Sequence, residues 1–314
     1  MIALERLTKA YGERVVVDGL SLRIEPGAIY GLLGPNGAGK TTTLMMLLGI
    51  VRPSSGSVSL FGAGRQPDDW RVRFRIGVME ETQHLYGEMT AYAYLTFFAG
   101  LYGMDRPDSR IEAVLELVGL AEAGRRPLRE FSKGMQQKIG LARALVHDPE
   151  LVILDEPVSS LDPHGVREVR EIIRQLQQAG KTIVISSHVL SEVEKTCSRV
   201  AVMNRGRLVA DGPIDVVKQM TRSERRYRVD LDAVNPALLE ALNGLPFVKR
   251  TEAAGDSVIV AVEGAGDYRR PISRTISEVG AIVLGLRELE ASLEEAFVTL
   301  TEQNLEGMIR GVKQ

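Results

Sequence analysis

Gly34-Pro35-Asn36-Gly37-Ala38-Gly39-Lys40-Thr41 fits G-x-x-x-x-G-K-[ST], the pattern of a loop that cradles phosphate. Its flanks matter more than the string. Ala28 to Leu33 predicts a short apolar strand, and Thr41 to Leu48 the first turns of a helix free of internal Gly and Pro, so the loop delivers phosphate to a helix N-terminus. Glycines without side chains let backbone N–H groups curl around the β- and γ-phosphates. Lys40 adds a point charge, and the Thr41 hydroxyl can ligate Mg2+. The plainer alternative is a Gly-rich turn that precedes a lysine by chance.

The remaining composition bounds what such a loop can serve. A chain of 314 residues with 44% apolar content is long enough for one large domain and one small one, with a proper core. Lys+Arg 39 against Asp+Glu 41 leaves no basic footprint, which demotes DNA or RNA as the main partner, and no nucleic acid is expected. Cys197 stands alone, so the chain has no intramolecular disulfide and no structural zinc set, as suits a reducing compartment. Met1-Ile2-Ala3-Leu4-Glu5-Arg6 lacks the basic-then-apolar order of a signal peptide, and no run is long enough to span a bilayer. The expected location is the cytoplasm.

A second decisive stretch is Leu151-Val152-Ile153-Leu154-Asp155-Glu156, an apolar run ending in adjacent carboxylates. It reads as a buried parallel strand, which presents side chains at its carboxyl end where open α/β sheets bind ligands. Asp155 can then reach a metal shell and Glu156 an attacking water. An ordinary strand followed by an acidic turn is the alternative for this run taken alone. Between the two stretches, Phe131-Ser132-Lys133-Gly134-Met135-Gln136-Gln137-Lys138 leads into Ile139 to Leu145 with helical apolar spacing, and Ser132 is the expected N-cap.

In this order, the phosphate loop, the Ser-x-Gly helix start, the apolar strand with Asp-Glu, Ser160-Leu161-Asp162 and Ile185-Ser186-Ser187-His188 resemble the ATP-binding cassette ATPases over roughly the first 215 residues. Any one motif can be accidental, but five in sequence are highly specific. The resemblance implies ATP and Mg2+ as cofactors. It implies that Gly34, Gly37, Gly39, Lys40, Thr41 and Thr42, with Asn36 and Ala38 of the same loop, form the phosphate cradle. Tyr11 corresponds to the aromatic that stacks on adenine, the alternative being a half-buried turn tyrosine. Thr41 and Asp155 support Mg2+, Glu156 is the general base, and His188 matches the switch histidine that contacts the γ-phosphate. Asp162 belongs to a loop that links two nucleotide sites across a dimer, and Ser132 with the Gly134 amide would touch a γ-phosphate. The active unit implied is a homodimer, each ATP held between the phosphate loop of one copy and the Ser132 helix start of the other.

Two motifs depart from the family pattern. In Ile76-Gly77-Val78-Met79-Glu80-Glu81 the family's usual Gln is Glu81, a carboxylate able to ligate metal more strongly while repelling phosphate oxygens. Gln83 can substitute only if the loop shifts. The helix start reads Ser-Lys-Gly-Met, with Lys133 and Met135 in place of Gly and Gln, a variant similar to that of exporters whose membrane subunits are separate chains.

From Met89 to Met104 the chain is uncharged and carries Tyr92, Tyr94, Phe97 and Phe98. Too short to span a membrane, it reads as part buried helix and part docking groove for a membrane partner, inside a helical subdomain over about 82–135. Arg222-Ser223-Glu224-Arg225-Arg226 is a charged linker candidate with a solvated face, and 221–290 has the order β-α-β-β-α-β of a small ferredoxin-like domain. A terminal helix is expected over 291–314. The expected architecture is thus α/β: a P-loop ABC-type nucleotide-binding domain over 1–220 and a small C-terminal α+β domain. The expected function is an ATPase subunit that powers export through separate integral membrane permease subunits, peripheral on the cytoplasmic face of the membrane. The alternative is a soluble ATPase of the same family acting on ribosome or DNA. The single cassette, and the lack of a long coiled-coil insertion between Lys40 and Ser132, weigh against it.

Overall fold

The computed structural model describes residues 2–62, 69–159, 161–220, 224–264, 266–289 and 292–311, with 303–311 as helical backbone. Ser160, Arg222, Ser223 and Ala291, named above in a motif, a linker and a terminal helix, lie outside the described residues, as do 312–314. The chain divides into two units, Met1–Val217 with Leu300–Gln314, and Lys218–Thr299.

The first unit opens with β1 (Ile2–Tyr11), β2 (Arg14–Ile24), β3 (Ile29–Leu33), α1 (Lys40–Leu47), β4 (Ser55–Leu60), α2 (Trp70–Arg73) and β5 (Ile76–Met79). Three helices follow, α3 (Ala91–Leu101), α4 (Asp108–Leu117) and α5 (Lys133–Leu145). The unit continues through β6 (Leu151–Asp155), α6 (Pro163–Gln178), β7 (Thr182–Ser187), α7 (Leu190–Thr196), β8 (Arg199–Asn204), β9 (Arg207–Pro213) and the start of α8 (Ile214–Met220). β2-β1-β4 form an antiparallel sheet, and a six-stranded sheet runs β5-β6-β7-β3-β8-β9, parallel except at β9. β3 is buried at every position and β6 at all but its last, as strands covered on both faces require, so their sequences are near-continuous Leu, Ile and Val. Leu7, Tyr30, Leu32, Leu60, Val184 and Met203 join the two sheets in one core.

Strand order positions the functional ends. β3, β7, β6 and β5 are consecutive neighbours and parallel, so the segments that follow them leave the same edge of the sheet side by side. Leu33 pairs with Ser187, and Ser186 with Asp155. Helix starts are fixed locally. Ser132 Oγ accepts the Met135 N–H at 3.3 Å to cap α5, and Asp162 Oδ1 accepts the Gly165 N–H at 2.7 Å to cap α6, where Pro163 occupies the first turn.

In the second unit β10 (Arg225–Leu231), α9 (Pro236–Asn243), β11 (Val248–Ala254), β12 (Ser257–Val262), α10 (Arg269–Glu278) and β13 (Val283–Leu289) make one antiparallel sheet in the order β11-β12-β10-β13. This is the strand order of a split β-α-β unit. Tyr227, Val229 and Leu231 alternate with Arg226, Arg228 and Asp230 along β10. The apolar set meets Val258, Val260 and Val262 of β12 and Leu238, Leu242, Ile272 and Ile276 of the two helices. The last helix, α11 (Leu293–Gly311), starts in this unit.

One expectation is corrected here. Arg225 and Arg226 are not linker but the first residues of β10, and their charges are paired: Arg225 Nε donates to Glu288 at 2.8 Å, and Arg226 meets Glu295 at 2.7 Å. Charge density imitated a linker because the outward face of a strand carries the same residues as a solvated loop.

β5 lies so close to the end of α5 that a Cβ on Gly77 would stand 2.0 Å from the Ala144 carbonyl oxygen and 2.8 Å from Pro149 Cγ. Gly77→Ala is therefore expected to destabilise the first unit by about 1–3 kcal/mol through overpacking. A urea midpoint unchanged from wild type would show that β5 and α5 are not in this contact.

Candidate functional site

The 34–41 loop takes its shape from contacts that exclude side chains. A Cβ on Gly34 would stand 2.6 Å from the Met203 carbonyl at the end of β8, and Gly39, the N-cap of α1, has φ +102° with the Val16 carbonyl 2.8 Å from where a Cβ would go. No side chain caps α1, so its first N–H groups stay directed into the loop. Lys40 is buried and its ammonium donates to the Gly34 carbonyl at 2.7 Å, which stretches the side chain back across the loop.

The loop floors a cavity of about 310 Å3 lined by Asn36 to Thr42, Glu81, Asp155, Glu156 and His188, together with Arg14 and Val16 of β2. Asp155 accepts from the Ser186 hydroxyl. Glu156 is buried with φ +50°, a conformation uncommon for a non-glycine residue, and three groups bind its carboxylate. His188 Nδ1 lies 2.8 Å from Oε1, while the Ser187 hydroxyl at 3.3 Å and the His188 N–H at 3.4 Å meet Oε2. Thus the end of β7 holds both carboxylates of the β6 end. Glu81 enters from the segment after β5.

Thr41, Asp155 and Glu81 present hard oxygen donors on one wall, a set that fits Mg2+ completing its shell with substrate phosphates and water. Among the described residues no three His, Cys, Asp or Glu converge as a self-sufficient cage, in keeping with that sharing. A triphosphate set on the loop would meet α1 end-on, and a water beside Glu156 could surrender its proton there.

The structure assembles the sequence-derived residues into two groups. Ser132, Gly134 and Asp162 are absent from the phosphate-loop cavity and line a second one of about 460 Å3 with Lys133, Lys138, His164 and Glu168. Gly34 lies behind the loop, contributing its carbonyl to Lys40. Tyr11 is half exposed at the end of β1, outside the lining of either cavity, with the Lys9 ammonium 4.8 Å from its ring centre. Arg14 and Val16 were missed in the sequence; the Tyr11–Arg14 hairpin that follows the aromatic was the available signal. Gln83 does not reach the cavity. It packs against Gly140 of α5, and its amide bonds the Glu80 carbonyl.

The ABC transporter family matches residues 17–159. The bacitracin transport ATP-binding protein BcrA of Bacillus licheniformis is 37% identical over 94% of this chain and 95% of its own length. The Nod factor export ATP-binding protein I of Burkholderia pseudomallei is 36% identical over 97% of this chain and 98% of its own. An uncharacterised ABC transporter ATP-binding protein of Nostoc is 46% identical over 68% of this chain, which spans 64% of that relative's length. Among solved structures, an ATP-binding subunit of an ABC transporter matches with a TM-score of 0.64 and 28% identity, over 70% of this chain and 92% of that one.

Ser187 is a positioning residue in this geometry: buried, it donates to Glu156 and accepts the Val189 N–H at 3.0 Å. Ser187→Ala is expected to lower kcat for ATP hydrolysis by about tenfold, the worth of one hydrogen bond to a charged group, while the KM for ATP changes little. A rise in KM at unchanged kcat would remove Ser187 from the alignment of Glu156.

Proposed function

The chain belongs to the ABC transporter family as an ATP-binding, ATP-hydrolysing subunit, and we propose that two copies of it energise export through a separate integral membrane permease. The observation that carries this reading is the division of the site. The phosphate loop with Asp155, Glu156 and His188 lines one cavity, and Ser132, Gly134 and Asp162 line another. In a head-to-tail homodimer the α5 start of one copy closes the phosphate cavity of the other. ATP then lies between two helix N-termini whose dipoles stabilise its charge.

Each residue has a task in that arrangement. The loop amides and Lys40 hold the β- and γ-phosphates, Thr42 belongs to the same cradle, and Tyr11, half exposed at the end of β1, is assigned to stack on the adenine. Thr41 and Asp155 would hold Mg2+, which would neutralise phosphate charge when bound. Glu156 orients and deprotonates the water, and His188 fixes Glu156 and faces the γ-phosphate. Cleavage removes the group that joins the two copies, and the sandwich opens.

Export is supported by the relatives that match over nearly their whole length, a bacitracin transport and a Nod factor export ATP-binding protein. Among the described residues no helix is long and apolar enough to cross a membrane, so the membrane path is assigned to a permease and this chain to its cytoplasmic face. The docking surface assigned to the permease is the exposed side of α3 and the turn before it. Tyr86, Phe97 and Leu101 are exposed there, while Tyr94, Leu95 and Ala99 are buried beneath. The second unit is assigned as a ferredoxin-like accessory domain without chemistry of its own.

Glu156→Gln is expected to cut hydrolysis by about 100-fold or more while retaining ATP, so that Mg-ATP converts the purified protein to a stable dimer by light scattering. Hydrolysis at the wild-type rate would remove Glu156 as the base. A strictly monomeric variant, alone and with its permease, would remove the sandwich.

A further inference from the structure

We propose that closure of the sandwich joins Glu81 of each copy to the partner's Lys133, so that the two departures from the family pattern form one intersubunit ion pair beside the γ-phosphate. The inference rests on the head-to-tail dimer described above and adds to it the pair of charges that stabilises closure.

The starting point is which charges the chain has already committed. In the phosphate cavity Asp155 accepts from Ser186, and Glu156 accepts from Ser187 and His188. Glu81 shares the cavity with both. Among the described residues its carboxylate has no hydrogen bond or ion pair, and none joins it to Arg14 in the same wall. In the second cavity Lys138 is bound to Glu168 at 2.7 Å, His164 meets Glu168 at 3.4 Å, and Asp162 is spent on the cap of α6. Lys133 there has no ionic partner among the described residues. Among the described residues the phosphate half thus keeps Glu81 and Arg14 uncommitted and the other half Lys133, and Glu81 and Lys133 are opposite in sign.

Placement makes them meet. Lys133 is the first residue of α5, between Ser132 and Gly134, and the Cα–Cβ bonds of a helix lean toward its N-terminus. Its stem therefore leaves α5 at the end presented to the other copy. Glu81 lines the facing cavity with Asp155 and Glu156, three carboxylates that a triphosphate would join, against the cations Lys40 and Arg14. A lysine brought in by the partner offsets that excess only when the sandwich is shut. Gln at 81 would not need it, and Gly at 133 could not supply it. The two substitutions are useful together and unfavourable apart.

The test uses the full chain carrying Glu156→Gln, with the Mg-ATP concentration for half-maximal dimerisation read by light scattering. Lys133→Glu is expected to raise that concentration by about tenfold or more, and adding Glu81→Lys to it to bring the value back to within about threefold of the parent. A Lys133→Glu effect of the same size with Glu or Lys at 81 would overturn the pair. Independently, Glu81→Cys combined with Lys133→Cys is expected to form a disulfide between copies on mild oxidation with Mg-ATP and not without it. Cys197 does not compete, being buried with its thiol pushed up to about 12 by desolvation. A parent that dimerises while the cysteines fail to cross-link overturns the ion pair and leaves the sandwich standing. A parent that never dimerises overturns both.

Discussion

The parallel register of β3, β7 and β6 is the constraint on which the site depends. Ser186 stands beside Leu32 on one side and Asp155 on the other, and Ser187 ends the strand beside Leu33. Hydroxyls at the end of one strand therefore fall next to carboxylates at the end of its neighbour, with the phosphate loop leaving the third. Side chains alternate with a period of two, so a slip of one residue would turn Ser186 and Ser187 to the opposite faces and release both acids. Packing opposes the slip: Ile183, Val184 and Ile185 are enclosed on both sides of the sheet, and a shift would set each side chain into a space shaped for its neighbour. The catalytic geometry is in this sense a by-product of hydrophobic registration some residues earlier in each strand.

Much of this was legible in the chain because the motifs combine a local conformation with a chemistry. A loop of Gly34, Gly37 and Gly39 ending in Lys40 demands a backbone that only glycine permits, and Leu151 to Leu154 followed by Asp155 states burial and then exposure at a strand end. Ser132 declared a helix start because its side chain competes for backbone N–H groups. What escaped is what depends on register across distant segments. Arg14 and Val16 reach the cavity through the β1–β2 hairpin, and the only nearby signal for them was the turn that follows Tyr11. Ser187 was legible only as part of a motif, since its partner Glu156 lies on another strand. Arg225 and Arg226 misled because strand alternation was read from Tyr227 onward, although it begins two residues earlier.

A single chain folded this way has a property that no enclosed active site has. Its anion-receiving loop and its second capped helix start open into different cavities, so neither can enclose a triphosphate alone. In the proposed homodimer, affinity for nucleotide and affinity between copies would be one linked quantity, because the ligand charge would be what both surfaces share. Hydrolysis would alter that linkage at its centre by removing the phosphoryl group nearest the junction, and a small chemical change would become a large change in the separation of the copies.

One path by which such a change could reach the α3 surface runs through the Gln137 amide, beside the direct contact of Arg143 on α5 with Tyr94 on α3 at 3.5 Å. Gln137 is buried on α5, about one turn beyond the Ser132 cap, and its Nε2 donates to the Glu81 carbonyl at 3.1 Å and to the Ser159 hydroxyl at 3.3 Å. The same side chain's oxygen lies 3.4 Å from Gln83 Nε2. One residue thus ties α5 to the backbone of Glu81 and to the segment leading into Asp162. Displacing α5 would therefore displace the segment holding Glu81 or break these partly buried hydrogen bonds, and leaving a partly buried amide without its partners is costly. That segment runs on through Tyr86, whose ring packs 6.1 Å from Phe97 and 6.2 Å from Tyr94 on α3. Contacts made at the nucleotide and contacts made at the exposed aromatics bear on the same short stretch of chain, so a load on either is felt by the other through bonded and packed atoms.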